Sequence, residues 1–233
     1  MADFDIAYQK TKDNEGGYLS AETARQIGDS GGETYKGIAR NFNSDWAGWA
    51  IIDSYKAKNG TIPYNSYIND SSLDDLVYQR YKSKYWDVIK GDSIQSQDIA
   101  NLLFDLNVNG GGVKTIQGSI NKIISPDSIA VDGVIGSDTL NKINTLPQDK
   151  LYQQFYNDRK AWIEASPDKQ FVSNWLSRLD KYRKSIVEDI SAQYTVETLR
   201  FGKNYVNLGI AIIALTVTLA GTGLLIYHLK NKK

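Results

Sequence analysis

The chain has 233 residues, 41% hydrophobic and 11% aromatic, enough for a packed domain with extra segments and inconsistent with a disordered polymer. It has no cysteine and one histidine, His228, which excludes disulfides, thiolate nucleophiles and imidazole-based triads and leaves carboxylates as the natural hydrolytic groups. Net charge is zero, but five of the 27 basic residues and none of the 27 acidic ones lie from Arg200 onward, so residues 1–199 carry 22 basic against 27 acidic residues, a net of −5 with no electrostatic footprint for nucleic acid.

In chain order, Asp3 is placed to cap a first helix in which Phe4, Ala7, Tyr8 and Thr11 share a face. Gly16-Gly17 would end that helix, leaving "DNEGGY" (Asp13 to Tyr18) as a carboxylate beside bare backbone. "GDSGGETYKGI" (Gly28 to Ile38) reads as a turn or small hairpin. Helical spacing returns at Leu73, Leu76, Val77, Tyr81 and Tyr85, and in the run Ile99 to Leu106, which breaks at "NVNGGG". Val113, Ile116, Ile120 and Ile123 make another amphipathic helix, and "VDGVIGSDTL" (Val131 to Leu140) turns into the next, with Ser137 or Asp138 as its cap. Further helices are expected through Tyr152, Phe155, Tyr156, Arg159 and Trp162, and from Val172 through Trp175, Leu179 and Arg183. The absence of glycine and proline from Asp168 to Phe201 suggests a stalk. Leu208 to Tyr227, twenty residues without a charge, matches the ~30 Å of a bilayer core when helical, with Tyr205 and Tyr227 as interfacial aromatics. The N-terminus has no apolar run of the signal-peptide kind.

"NEGGY" followed by "GDSGGETYKGIA" resembles the opening of glycoside hydrolase family 108, N-acetylmuramidases of phages and bacteria. Glu15, Gly16, Gly17, Tyr18, Asp29, Gly31, Gly32, Thr34, Gly37 and Ile38 fit the pattern; Lys36 departs from the more usual "TNYGI". "YKSKYWDVI", "LLFDLNVNGG", "IQGSINKI", "VDGVIGSDTL" and "FVSNWLSRLDKYR" are similar to the family's second half, a helical peptidoglycan-binding domain, so the resemblance runs over roughly residues 3–183. It implies a mainly α fold: a lysozyme-like catalytic domain with a small β-hairpin over 1–95 and a wall-binding helical domain over 96–165. To these the residue pattern adds a stalk over 166–204 and a transmembrane anchor with a basic tail over 205–233.

The resemblance assigns the catalytic role to Glu15 and, through the Glu–Asp–Thr order of phage-type lysozymes, supporting roles to Asp29 and Thr34. Glycosidic cleavage needs a proton at the leaving oxygen and negative charge or an activated water at the oxocarbenium-like centre. Glu15 would supply the first and Asp29 the second, with Thr34 holding the water; Glu33 is the rival second carboxylate. Tyr18, Gly31, Gly32, Tyr35, Phe104, Asp105 and Asn109 are the expected substrate contacts. Trp46, Trp49, Trp86 and Trp175 are candidate sugar platforms, although tryptophans at helical spacing are mostly core. Taken alone, Glu15 reads as a solvated helix end, Asp29 as a turn residue and Thr34 as a strand residue. The expected substrate is the peptidoglycan glycan strand, cut between N-acetylmuramic acid and N-acetylglucosamine without metal or cofactor. The alternatives are a lytic transglycosylase and a non-catalytic wall-binding protein. The span would anchor the body on the periplasmic or wall side, although Lys230, Lys232 and Lys233 only slightly outnumber Arg200 and Lys203 as an orientation signal. With no export signal, a holin or virion context would account for delivery.

Overall fold

The computed structural model describes residues 1–12 and 14–183. The expected span Leu208–Tyr227, the basic tail and the distal part of the expected stalk lie outside these residues. Among the described residues no helix is long and apolar enough to cross a membrane.

Helix α1 (Phe4–Lys12) starts as its sequence dictates: the Asp3 carboxylate accepts from the Asp5 and Ile6 backbone N–H groups at 2.7 and 3.3 Å. Its apolar face, Phe4, Ala7 and Thr11, packs chiefly on α5 (Gln97–Val108). Phe4, Trp86 and Phe104 meet there, Phe104 edge-on to both rings at centroid distances of 5.5 and 5.8 Å. Every residue of α5 from Ile99 to Leu106 is buried, Asn101 and Asp105 included, as suits a helix enclosed on all sides.

Between α1 and α5 lies a three-stranded antiparallel sheet in the order β1 (Tyr18–Leu19), β2 (Thr34–Tyr35), β3 (Ile38–Ala39). The β2–β3 hairpin turns on Lys36 and Gly37, whose φ values of 45° and 74° are the left-handed pair that a two-residue hairpin loop requires. Helix α2 (Ala21–Gln26) separates β1 from β2; α3 (Gly48–Asn59) and α4 (Ser71–Tyr81) follow the sheet. Asp70 caps α4 through the Leu73 N–H at 2.9 Å.

Helices α6 (Gly112–Ile124), α7 (Ser137–Thr145), α8 (Gln148–Glu164) and α9 (Lys169–Asp180) complete a single unit over residues 1–182. Asp132 ties the turn before α7 by accepting from the Val134 N–H and from Gln117, both at 2.8 Å. Gly136 occupies the cap position of α7, and neither Ser137 nor Asp138 caps it. The first part of the expected stalk is not free-standing: α9 packs on α8, with Leu179 and Tyr182 buried. The described architecture is therefore mainly α-helical with one small sheet.

Candidate active site

Helix α1 gives out at Lys12, and the chain turns tightly as the Asn14 and Glu15 N–H groups donate back to Thr11 O and Lys12 O at 2.9 and 3.0 Å. The next residues are joined to a distant loop. Asn65 Oδ1 accepts from the Gly17 N–H at 2.8 Å, and Tyr18 exchanges backbone bonds with Asn65 and Ser66. A Cβ on Gly17 would stand 2.5 Å from Ser66 O, so only glycine permits that approach. The Glu15 side chain is held in the same way. A Cβ on Gly37 would meet Glu15 Oε2 and the Tyr81 hydroxyl, each at 2.5 Å, so the hairpin turn closes directly over the carboxylate.

The other oxygen, Oε1, accepts from Arg178 Nη2 of α9 at 3.0 Å. The same guanidinium clasps Asp105 of α5, with Nε at 3.1 and 3.2 Å from the two carboxylate oxygens and Nη2 at 2.9 Å from Oδ1. The Asp105 side chain is only 2% exposed and that of Glu15 17%, so the arginine bridges a buried carboxylate and a half-buried one. Burial works to lower the Arg178 pKa, but the Asp105 and Glu15 charges outweigh it and hold the group above its ordinary value. Burial also pushes the Tyr81 and Tyr85 phenols up, helped by the Glu15 charge.

Glu15 faces a cavity of about 310 Å³ lined with Tyr8, Lys12, Lys36, Tyr67, Val77 and Tyr81. Among the described residues no other carboxylate lines it. A second cavity of about 100 Å³ lies on the other side of the arginine bridge, between Asp105, Asn109 and the residues of α8 and α9.

The expected site residues divide between these places and the scaffold. Asp105 and Asn109 line the smaller cavity. Asp29 is exposed and accepts from the Gly31 N–H at 2.7 Å, closing its own turn outside the walls of either cavity. Thr34 lies in β2 with its hydroxyl donating to Gly32 O at 3.1 Å, and Gly32 packs on the Asn41 side chain. Tyr35 is fully buried, its hydroxyl accepting from Ile68 N at 3.1 Å, and Phe104 is fully buried against Phe4 and Trp86. Tyr18 is buried and donates to Glu33 at 2.6 Å.

Glu33 is itself a buried hub, accepting from Lys56 at 2.6 Å and paired with Arg40 at 3.0 Å. Trp46, Trp49 and Trp86 are core residues, whereas Trp175 flanks the smaller cavity. Sequence reasoning did not find Arg178, Tyr81 or Arg159 as site residues. Each sits on an ordinary amphipathic helix, and Arg178 meets Glu15 across 163 positions of chain.

Residues 8–111 match the family Glycosyl hydrolase 108, so the chain carries a glycosyl hydrolase domain. The matched segment holds Glu15, the hairpin, Asp105 and Asn109 and stops before α6. No curated protein matches the chain. Among solved structures it is similar in fold to SagA of Brucella abortus, at 22% identity and a TM-score of 0.51, over 77% of this chain and 90% of that one.

Proposed function

We propose that this domain is an N-acetylmuramidase that hydrolyses the β-1,4 link between N-acetylmuramic acid and N-acetylglucosamine in peptidoglycan, with Glu15 as the proton donor. The observation that carries the reading is the placement of Glu15 as the carboxylate of the larger cavity, inside a glycosyl hydrolase 108 domain. Arg178 holds Oε1 while Oε2 lies against the hairpin turn, so the acidic proton belongs on Oε2, from which it passes to the bridging oxygen. Tyr8 and Tyr67 line the same cavity and give it aromatic surface for sugar packing. Asp29 and Thr34 lie outside the walls of this cavity, engaged with Gly31 and Gly32, so the proton donor is the role that the site supports.

The span Leu208–Tyr227 anchors the body, with catalytic residues 1–95 and wall-binding residues 96–165 on the wall side of the membrane. The test of the chemistry is release of reducing ends from purified peptidoglycan. Glu15→Gln is expected to lower the rate about 10²–10⁴-fold, and full activity in that variant would remove Glu15 from the mechanism. Protease access to the body in spheroplasts tests its placement.

A second reading is favoured by the lack of another carboxylate in the cavity among the described residues. A lytic transglycosylase needs one glutamate and no water. Its products are lighter by one water than those of hydrolysis, so mass spectrometry of the digest separates the two.

A further inference from the structure

Arg159 of α8 is 7% exposed, its Nε has no hydrogen-bond partner among the described residues, and its guanidinium lies 4.3 Å from the Trp162 ring centroid. A cation–π contact satisfies the face of a guanidinium and leaves its edge donors unused. The Arg159 side chain belongs to the wall of the cavity of about 100 Å³ that Asp105, Asn109, Trp162, Trp175 and Arg178 also line. Asp105 does not serve as the missing partner, because Arg178 engages both of its carboxylate oxygens. Burial pushes the Arg159 pKa down, and the neighbouring Arg178 charge adds to this against the pull of Asp105, as expected for a cation lacking its own counter-ion. A buried, unpaired cation is costly unless an anion arrives to pair with it.

We propose that this cavity is a subsite for a carboxylate of the wall polymer, bound by the Arg159 guanidinium beside Trp162 and Trp175. A cavity of about 100 Å³ has room for a carboxylate with its first carbons. The Asn109 amide donates to Asp105 O at 2.8 Å, which leaves its carbonyl oxygen to accept from an N–H beside the ligand's carboxylate. Arg178, which lines the smaller cavity, bonds at 3.0 Å to Glu15, which lines the larger one, so the two cavities are neighbours across a single ion pair. Two wall groups supply that chemistry: the lactyl carboxylate of N-acetylmuramic acid, and the carboxylates of a stem peptide. The inference rests on the muramidase reading for its ligand.

The experiment is calorimetric titration of the full chain in a Glu15→Gln background, which prevents cleavage and keeps an acceptor for Arg178. Three ligands are compared: chitotetraose, which has no carboxylate; the peptide-free tetrasaccharide of alternating N-acetylglucosamine and N-acetylmuramic acid, with free lactyl groups; and the same tetrasaccharide carrying stem peptides, where the lactyl group is amidated. At least one carboxylate-bearing ligand is expected to bind more tightly than chitotetraose. Arg159→Gln is expected to weaken that ligand about 10- to 100-fold while leaving chitotetraose unchanged. Loss confined to the second ligand identifies the lactyl group, and loss confined to the third identifies the stem. Equal affinity for all three ligands without the Arg159 substitution overturns the proposal and needs no folded variant. So does a uniform effect, or no effect, of Arg159→Gln. Failure of the wild-type chain to cleave peptidoglycan counts against the muramidase reading and is scored separately from these titrations.

Discussion

Gly37 leaves the candidate acid no freedom. Its φ of 74° is already left-handed, and an added Cβ would press on Glu15 Oε2 and the Tyr81 hydroxyl at 2.5 Å. Gly37→Ala is therefore expected to destabilise the fold by about 1–3 kcal/mol and to lower turnover more than stability alone explains, read by activity and melting on the same sample. Arg178→Lys isolates the bridge. A lysine keeps the charge but cannot span two carboxylates with a planar fork. The expected result is a lower kcat with a KM within about two-fold of the parent, since positioning of the acid is lost and most sugar contacts remain. Arg178→Ala is harsher because it leaves the buried Asp105 carboxylate without its ion-pair partner, a loss of about 3–5 kcal/mol. Glu15 was legible in the sequence because the Glu-Gly-Gly-Tyr motif marks it locally. Arg178 was not, because nothing in its own helix distinguishes an arginine that reaches solvent from one that reaches a carboxylate 163 residues away.

The elements were legible where one periodicity ruled. The α1, α4, α5, α6 and α8 patterns follow from apolar spacing, and the hairpin follows from its glycines. Helix α3 was missed: its "GWAIIDSYKAKN" buries Gly48, Trp49 and Ile52 but interleaves them with polar residues, and the face shows only once the partner α4 is in place. The role of Glu33 was also hidden, since a carboxylate beside the motif reads naturally as chemistry. In the structure it joins β2 to α3 through Lys56, to Arg40 beyond β3, and to β1 through Tyr18. Glu33→Gln keeps an acceptor for Tyr18 but removes the charge shared by Lys56 and Arg40, which keep the Asp53 carboxylate. A loss of about 1–3 kcal/mol is expected, seen as a melting temperature lower by roughly 2–12 °C. A catalytic role instead requires activity to collapse while the melting temperature stays put.

Over the whole described unit, the aromatic content that marked the sequence as a packed domain also fixes its alkaline limit. Burial, with the Asp74 charge, pushes the Tyr8 phenol up to about 12, and the hydrogen bond to Asp5, with burial, does the same for Tyr78. Burial raises Tyr18, Tyr81, Tyr152 and Tyr182 as well. A phenol whose folded pKa exceeds its unfolded value of about 10 stabilises the fold fully below pH 10. Above that the unfolded chain releases protons that the folded chain retains, so stability falls until the folded pKa is passed. The acid side runs oppositely. Burial raises the Asp158 pKa, but hydrogen bonds from Lys122, Ser119 and Gln154 outweigh it and hold the group below its ordinary value, so its contribution is lost as pH falls below about 4. Denaturant midpoints are therefore expected to decline between pH 10 and 12 together with the rise in tyrosinate absorbance. Tyr78→Phe, which removes one such phenol with its Asp5 bond, should make that decline shallower while lowering the plateau at neutral pH. A midpoint flat to pH 12 would mean that these hydroxyls titrate as freely in the folded protein as in the unfolded chain.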